Sequence, residues 1–243
     1  MAARDVVERY RADLQDLTAL AARDVSLLLS EVRGSPIGEV REILTAVVPD
    51  LVEPFLGASG ELAATWYEDL RSAASVSGTF YADTVVEGIP ASKAERLARW
   101  AVAPLAADEG AIPDVLSRLS GAVQRAVFDA GRDTVVGNTR RDPVRVGWQR
   151  MARPGSCAFC GLLASRGAAY ESRESASRTS SGERYHDHCH CVATPIFRGT
   201  EMAELASADA ERFRAMYEQA RSEASSGRAT DILSTWRAVH GTH

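Results

Sequence analysis

The chain has 243 residues, 45% of them hydrophobic and 25% charged, with a formal net charge of −5. That is the balance of a globular protein with material for a sizeable core, in one or two domains. The negative balance argues against a general nucleic-acid coat, which needs net positive charge, and no uninterrupted apolar run is long enough to cross a bilayer. The N-terminal MAARDVVERY has no apolar signal region, so secretion by a cleaved signal is not expected.

The first third reads as helix. Val7, Tyr10, Leu14, Leu17, Ala21, Val25, Leu28 and Val32 recur at steps of three or four, an apolar stripe at helical period. Gly34, Ser35 and Pro36 end it. This helix can pack on the body or pair with another chain, and its length and the Gly34–Pro36 break favour a partner-binding arm. A second helix runs from about Ile37 to Val48, where Pro49 interrupts it, with Pro54 close behind. A third carries Leu62, Trp66, Tyr67 and Leu70.

Residues 78–90 read as a loop. Ser92 and Glu95 form a capping-box pattern before Leu97, Trp100 and Val102. Pro113 and Asp114 open a helix with Val115, Leu119, Val123, Val127 and Val135 on one face, and Gly137–Asn138 is its expected stop. Trp66, Tyr67, Trp100 and Phe128 fall at helical positions and read as core.

The texture changes at Pro143. Val144, Val146 and Trp148 alternate with polar residues or Gly, as in a short strand. Cys157 to Gly161 reads as a tight turn, and Glu171 to Gly182, rich in Ser, Thr and charge, as a mobile loop. A strand over Val192 to Phe197 follows. A polar helix from about Ser207 carries Phe213, Met216, Tyr217 and Ala220, and a short last helix carries Ile232, Leu233, Trp236 and Val239.

All four cysteines and three of the five histidines lie between Cys157 and Cys191. Clustering of this kind favours a metal over a disulfide scaffold. The pattern is Cys157-x2-Cys160, a spacer from Gly161 to Tyr185, then His186-x2-Cys189-x-Cys191. A CxxC turn points two sulfurs at one place, and Cys189 and Cys191, two apart on extended chain, face the same way. His186 joins from the turn before. Five candidates thus serve the four tetrahedral places of zinc, with no open position required, so the site reads as closed and structural. The segment buries few large apolar residues, so metal binding is expected to supply its folding free energy. His188 and His190 are expected to face water or support the ligands. Reduced buried cysteines, or a redox pair at Cys157 and Cys160 without its βαβ setting, are weaker readings.

The expected organisation is mainly α: residues 1–35 an N-terminal helix, 36–142 a helical body, 143–200 a small zinc-stabilised α+β module, and 201–243 a helical tail.

Several segments resemble a known family. These are Gly131-Arg132, Gly147-Trp148-Gln149-Arg150, Cys157-Ala158-Phe159-Cys160, Leu163 to Tyr170, and Tyr185-His186-Asp187-His188-Cys189-His190-Cys191 with Pro195. Together they are similar to the phage Mu F-like minor capsid (head morphogenesis) family, in the form found in actinobacterial tailed phages. Its CxxC and HxxCxC positions match one for one, and Val47 to Arg71 resembles its N-terminal helical region. The resemblance implies a minor head component, present in few copies, associated with the portal vertex or capsid interior, and linked to head assembly or DNA delivery. Portal and major capsid proteins are the implied partners, and the virion, after the host cytoplasm, the implied location. Some members carry a fused protease or toxin domain, for which about two helices after Phe197 leave no room. The chain lacks the Pro-rich step that commoner members place before the histidine.

Two other readings compete. An HNH-like nuclease would use Tyr185-His186-Asp187-His188, but needs a second divalent ion, and one cluster would have to serve two metals. A DNA-contacting module would use Arg132, Arg140, Arg141, Arg145, Arg150 and Arg153, six arginines set against Asp133 and Asp142. A solvated basic face, or one that meets an acidic partner surface, is favoured over it. No Gly-rich phosphate loop, HExxH or GxSxG is present, so no catalysis is expected.

Overall fold

The computed structural model describes residues 2–108, 110–153, 155–167 and 189–242. The spacer loop expected over Glu171 to Gly182, together with His186 and His188, lies outside them. The described chain is mainly α, with helices α1 (Ala3–Glu31), α2 (Ile37–Ala73), α3 (Ala91–Val102), α4 (Ile112–Arg141), α5 (Ala158–Ala164), α6 (Glu201–Glu223) and α7 (Ala229–His240). Two strands, β1 (Gly147–Met151) and β2 (Val192–Ile196), pair antiparallel with Gly147 opposite Ile196 and Met151 opposite Val192.

α1, α2 and α4 form the frame, with α3 against α2 and α4. The α1 stripe is turned inward: Val7, Tyr10, Leu14, Ala21, Val25 and Leu29 are all buried. The expectation that this helix is a free partner-binding arm is therefore corrected. Its apolar face is already covered by the body, because the Gly34–Pro36 break folds α2 back along it.

α2 is one helix of 37 residues, with Pro49 and Pro54 inside it. The break expected at Pro49 does not occur. Val40, Leu44, Val48, Val52 and Leu56 continue one buried stripe past both prolines. A proline inside a helix costs about 3 kcal/mol, which burial of several such side chains at about 1.5–3 kcal/mol each exceeds. By length and composition α2 is also apolar enough to cross a membrane, although the stripe just named packs inside the fold.

α4 runs past Gly137–Asn138 to Arg141. Asn138 does not stop it because its side chain is engaged elsewhere, binding both backbone groups of Asp83. One turn earlier, Thr134 Oγ1 accepts from the Val85 N–H at 2.9 Å. The two side chains hold the extended segment before α3 as a neighbouring strand would. The Ser92–Glu95 capping box does not form: α3 is preceded by Pro90 with no side-chain cap, and Glu95 pairs with Arg99.

Packing crosses the boundaries expected at 35, 142 and 200. One apolar cluster joins Val7, Tyr10, Trp66, Tyr67 and Phe128 to Trp148, Met151, Val192, Phe197 and Ala206. A second fills the other end of the frame, between Val25, Val52, Ala98 and Leu119. A two-stranded sheet is marginal alone. Here it lies against α4 and α6, with Gln149 Nε2 donating to the Ala206 carbonyl at 2.6 Å. Trp66, Tyr67 and Phe128 are core as expected, but Trp100 is 44% exposed.

Candidate metal centre

The cysteines lie in two local settings, the first turn of α5 and the segment before β2. Cys157 is the N-cap of α5, its sulfur accepting the Cys160 N–H at 3.4 Å. The CxxC segment is thus the first turn of a helix where the sequence reading has a tight turn. That still carries Cys160 inward, to 2% exposure, while Cys157 stays half-buried. Cys189 and Cys191 stand just before β2, on extended chain, and both sulfurs point to the same place. The Sγ atoms of Cys160, Cys189 and Cys191 all lie within 4.8 Å of one another, all buried. Cys160 Sγ and Cys189 Sγ are 3.4 Å apart.

Four sulfurs around a zinc ion at about 2.3 Å form a tetrahedron with edges of roughly 3.8 Å. The trio fits that edge length, and a soft thiolate set is the chemistry that such ions select. All four cysteines are free of disulfides. Cys157 stands beside the trio, within hydrogen-bonding reach of the Cys160 thiol.

The thiols share protons unevenly. Cys160 is held well above the usual thiol range by hydrogen bonds to Cys157, Cys189 and Cys191, and by burial. Cys189 is driven well below it, first by hydrogen bonds from Cys160 and Cys191, then by the charges of Arg132 and Arg150, against the cost of burial. At Cys191 the Cys160 hydrogen bond favours the thiolate. The bond to Cys189, burial and the Cys189 charge outweigh it and push the group up to about 12. Among the three thiols, negative charge is therefore favoured most at Cys189. A cation that ionises the others must displace their protons, so its binding weakens as pH falls.

α4 and α1 grip the Cys189–Cys191 segment from two sides. Gln124, Phe128 and Arg132 are four apart on one face of α4. Gln124 Nε2 donates to the Cys189 carbonyl at 2.7 Å. Arg132 donates to the carbonyls of Cys191 and Cys189 and approaches Cys189 Sγ at 3.6 Å. Phe128 meets the His190 ring edge-on at 5.6 Å. From α1, Arg11 Nε donates to the His190 carbonyl at 2.9 Å, and Gln15 Nε2 lies 3.1 Å from His190 Nδ1. His190 is thus turned to α1 and supports the segment from outside the sulfur trio.

α7 closes the other side. Trp236, fully buried, lies against Gly161, where a Cβ would fall 2.5 Å from its ring. Only glycine lets the indole seat on the CxxC helix.

The arginine expectation is divided by burial. Arg140, Arg141, Arg145 and Arg153 are exposed, but Arg132 and Arg150 are 2% and 0% exposed. Those two are corrected from surface contacts to buried counter-charges of the cysteine cluster. Net charge along the sequence carries no information about which face of α4 or β1 points inward. Gln124, Arg11 and Gln15 were not singled out from sequence. The available signal was polar residues spaced four apart on otherwise apolar helix faces.

Fold and site together define a mainly helical protein around a buried cysteine cluster whose sulfurs can hold a metal ion. The profile of the VG15 protein family matches residues 1–220. The chain belongs to that family, a family of viral (phage) gene proteins. No curated protein and no solved structure matches it significantly.

Proposed function

We propose that the chain is a non-enzymatic minor capsid protein of a tailed phage, placed at the portal vertex or capsid interior and acting in head morphogenesis or DNA delivery. Membership of a phage protein family supports this reading, as do the segments that resemble Mu F-like proteins. The observation that supports a structural role for the cluster is the burial of the sulfur trio, with Cys160 2%, Cys189 1% and Cys191 2% exposed. A substrate cannot reach them, and α4, α1 and α7 hold them as a staple is held.

Zinc is the ion this donor set suits, bound by Cys160, Cys189 and Cys191, with Cys157, which stands beside the trio, as one candidate for the fourth place. His186 is the alternative for that place. Four thiolates and one zinc ion would carry a net charge of −2, which Arg132 and Arg150 stand ready to offset. The ion would join the CxxC helix to the segment before β2.

The test of the assembly role is a pull-down of the purified chain with portal and major capsid proteins, together with immunodetection in purified particles. Stable association with one of them, and presence in the particle, is the expected result. Absence from particles and no association with either protein would sink the proposal. Metal-dependent plasmid nicking that is lost in His186→Ala and His188→Ala would replace it with a nuclease.

A further inference from the structure

The cleft between α3 and α4 lies apart from the cysteine centre. It has a volume of about 380 Å³ and an apolar floor that includes Leu97 and Ala126. Its rim is cationic: Lys93 and Arg96 on α3, and Arg125 on α4. Trp100 also lines it, exposing a large ring on a chain that buries its other described tryptophans. Arg118 holds this ring, with its guanidinium 5.0 Å from the ring centroid and Nη1 donating to the Trp100 carbonyl at 2.5 Å. Among the described residues, Lys93 and Arg96 make no ion pair, whereas neighbouring Arg99 is paired with Glu95.

This concentration of positive charge is unexpected on a chain of net charge −5. Arg118 and Arg125 are seven residues apart on α4, about 10 Å along the axis. The cationic strip is therefore longer than one phosphate group. An acidic peptide would be served by the cations alone and would make no use of a fixed, exposed indole. A flat ring bracketed by cations suits a base flanked by phosphates. We propose that the α3–α4 cleft binds a single-stranded nucleic-acid segment, with one unpaired base against Trp100 and its phosphates on Lys93 and Arg96. The surface is distinct from the exposed arginines of 140–153, and the proposal does not depend on portal or capsid association.

The probe is fluorescently labelled oligothymidylate, followed by anisotropy with the full chain. Binding is expected at low salt and falls steeply as salt is added. Trp100→Ala weakens it about tenfold, Trp100→Phe largely retains it, and the double variant Lys93→Glu/Arg96→Glu abolishes it. Lys93 and Arg96 are exposed, so thermal melting of their double variant should not change. The double variant Arg214→Glu/Arg221→Glu makes the same charge change on α6 and should bind as the parent does. Four outcomes overturn the proposal. The first is no binding of oligothymidylate; the second is equal loss in the α6 variant. The third is a duplex binding as tightly and unaffected by Trp100→Ala. The fourth is polyglutamate, or thymidine monophosphate, competing as well as the oligonucleotide; those would assign the cleft to an acidic protein or a free nucleotide.

Discussion

Arg132 donates from Nε and Nη2 to the carbonyl of Cys191, at 2.9 and 2.7 Å, and from Nη2 to that of Cys189 at 2.8 Å. Its Nη1 is held by Asp129 at 2.8 Å. One buried guanidinium thus fixes the backbone of both C-terminal cysteines, and its charge favours the Cys189 thiolate. Arg132→Met should leave two buried carbonyls short of a donor and cost about 2–4 kcal/mol in urea unfolding. Arg132→Lys keeps the charge without the fork and should fall between. If both variants match the parent in stability and metal content, Arg132 does not position the site.

A related pair sits at the end of α4. Asp142 accepts from Arg71 Nε at 2.8 Å and from the Tyr67 hydroxyl at 3.1 Å, and Arg71 also reaches the carbonyls of Ser77 and Gly78. Removing one partner leaves a buried charge uncompensated, so Asp142→Ala should cost about 3–5 kcal/mol. Asp142→Asn should cost less. Arg71→Met/Asp142→Leu should recover most of the loss. A double-mutant cycle by chemical denaturation measures this coupling, and additive losses would show that the pair is not linked.

Trp236 and Gly161 give a third prediction. Gly161→Ala forces the indole away from α5 and should destabilise by about 1–3 kcal/mol. Trp236→Ala should cost about 3–5 kcal/mol through the cavity it leaves. In zinc-loaded protein both should also speed release to a chromogenic chelator, because α7 covers the CxxC helix. Unchanged release rates would confine α7 to a packing role.

The thiol shifts set an alkaline response for metal-free protein. Unfolded cysteines ionise near pH 8.5, whereas folded Cys160 and Cys191 keep their protons well above that, Cys191 to about 12. Above pH 8.5 the folded state binds more protons than the unfolded one, so stability falls as pH rises toward about 12. Cys189 has the opposite sign. Its depressed value adds stability above the unfolded value, and this is lost as pH falls through the folded one. Buried Tyr10 and Tyr67, both raised by burial, steepen the alkaline loss. Denaturation midpoints of metal-free protein across this range check the slope. Cys191→Ser should flatten it, and an unchanged slope would remove Cys191 from the account.

How far the sequence could be read depended on whether a residue pattern leaves a choice of direction. The α1 stripe predicts its helix because burial demands a period of 3.6. The same stripe cannot say whose surface covers it, so the inward packing of Val7 to Leu29 was misjudged. Cys189 and Cys191 converge because alternation on extended chain leaves one option. Cys157 and Cys160 lie on the first turn of α5, which carries Cys160 into the trio and leaves Cys157 half-buried beside it. The prolines of α2 misled because a local penalty was weighed without the packing that outweighs it. Arg132 and Arg150 were invisible as buried groups because charge in a sequence defaults to solvent. Only the fold shows a cysteine cluster for them to face.

Metal content of the purified chain decides whether the cysteine cluster is a zinc staple. One zinc per chain is expected by elemental analysis. The metal should be lost in Cys160→Ser, Cys189→Ser and Cys191→Ser, with a melting temperature that drops on chelation and returns with zinc. A metal-free chain that melts at the same temperature with or without chelator, and whose cysteine variants are as stable as the parent, would contradict it.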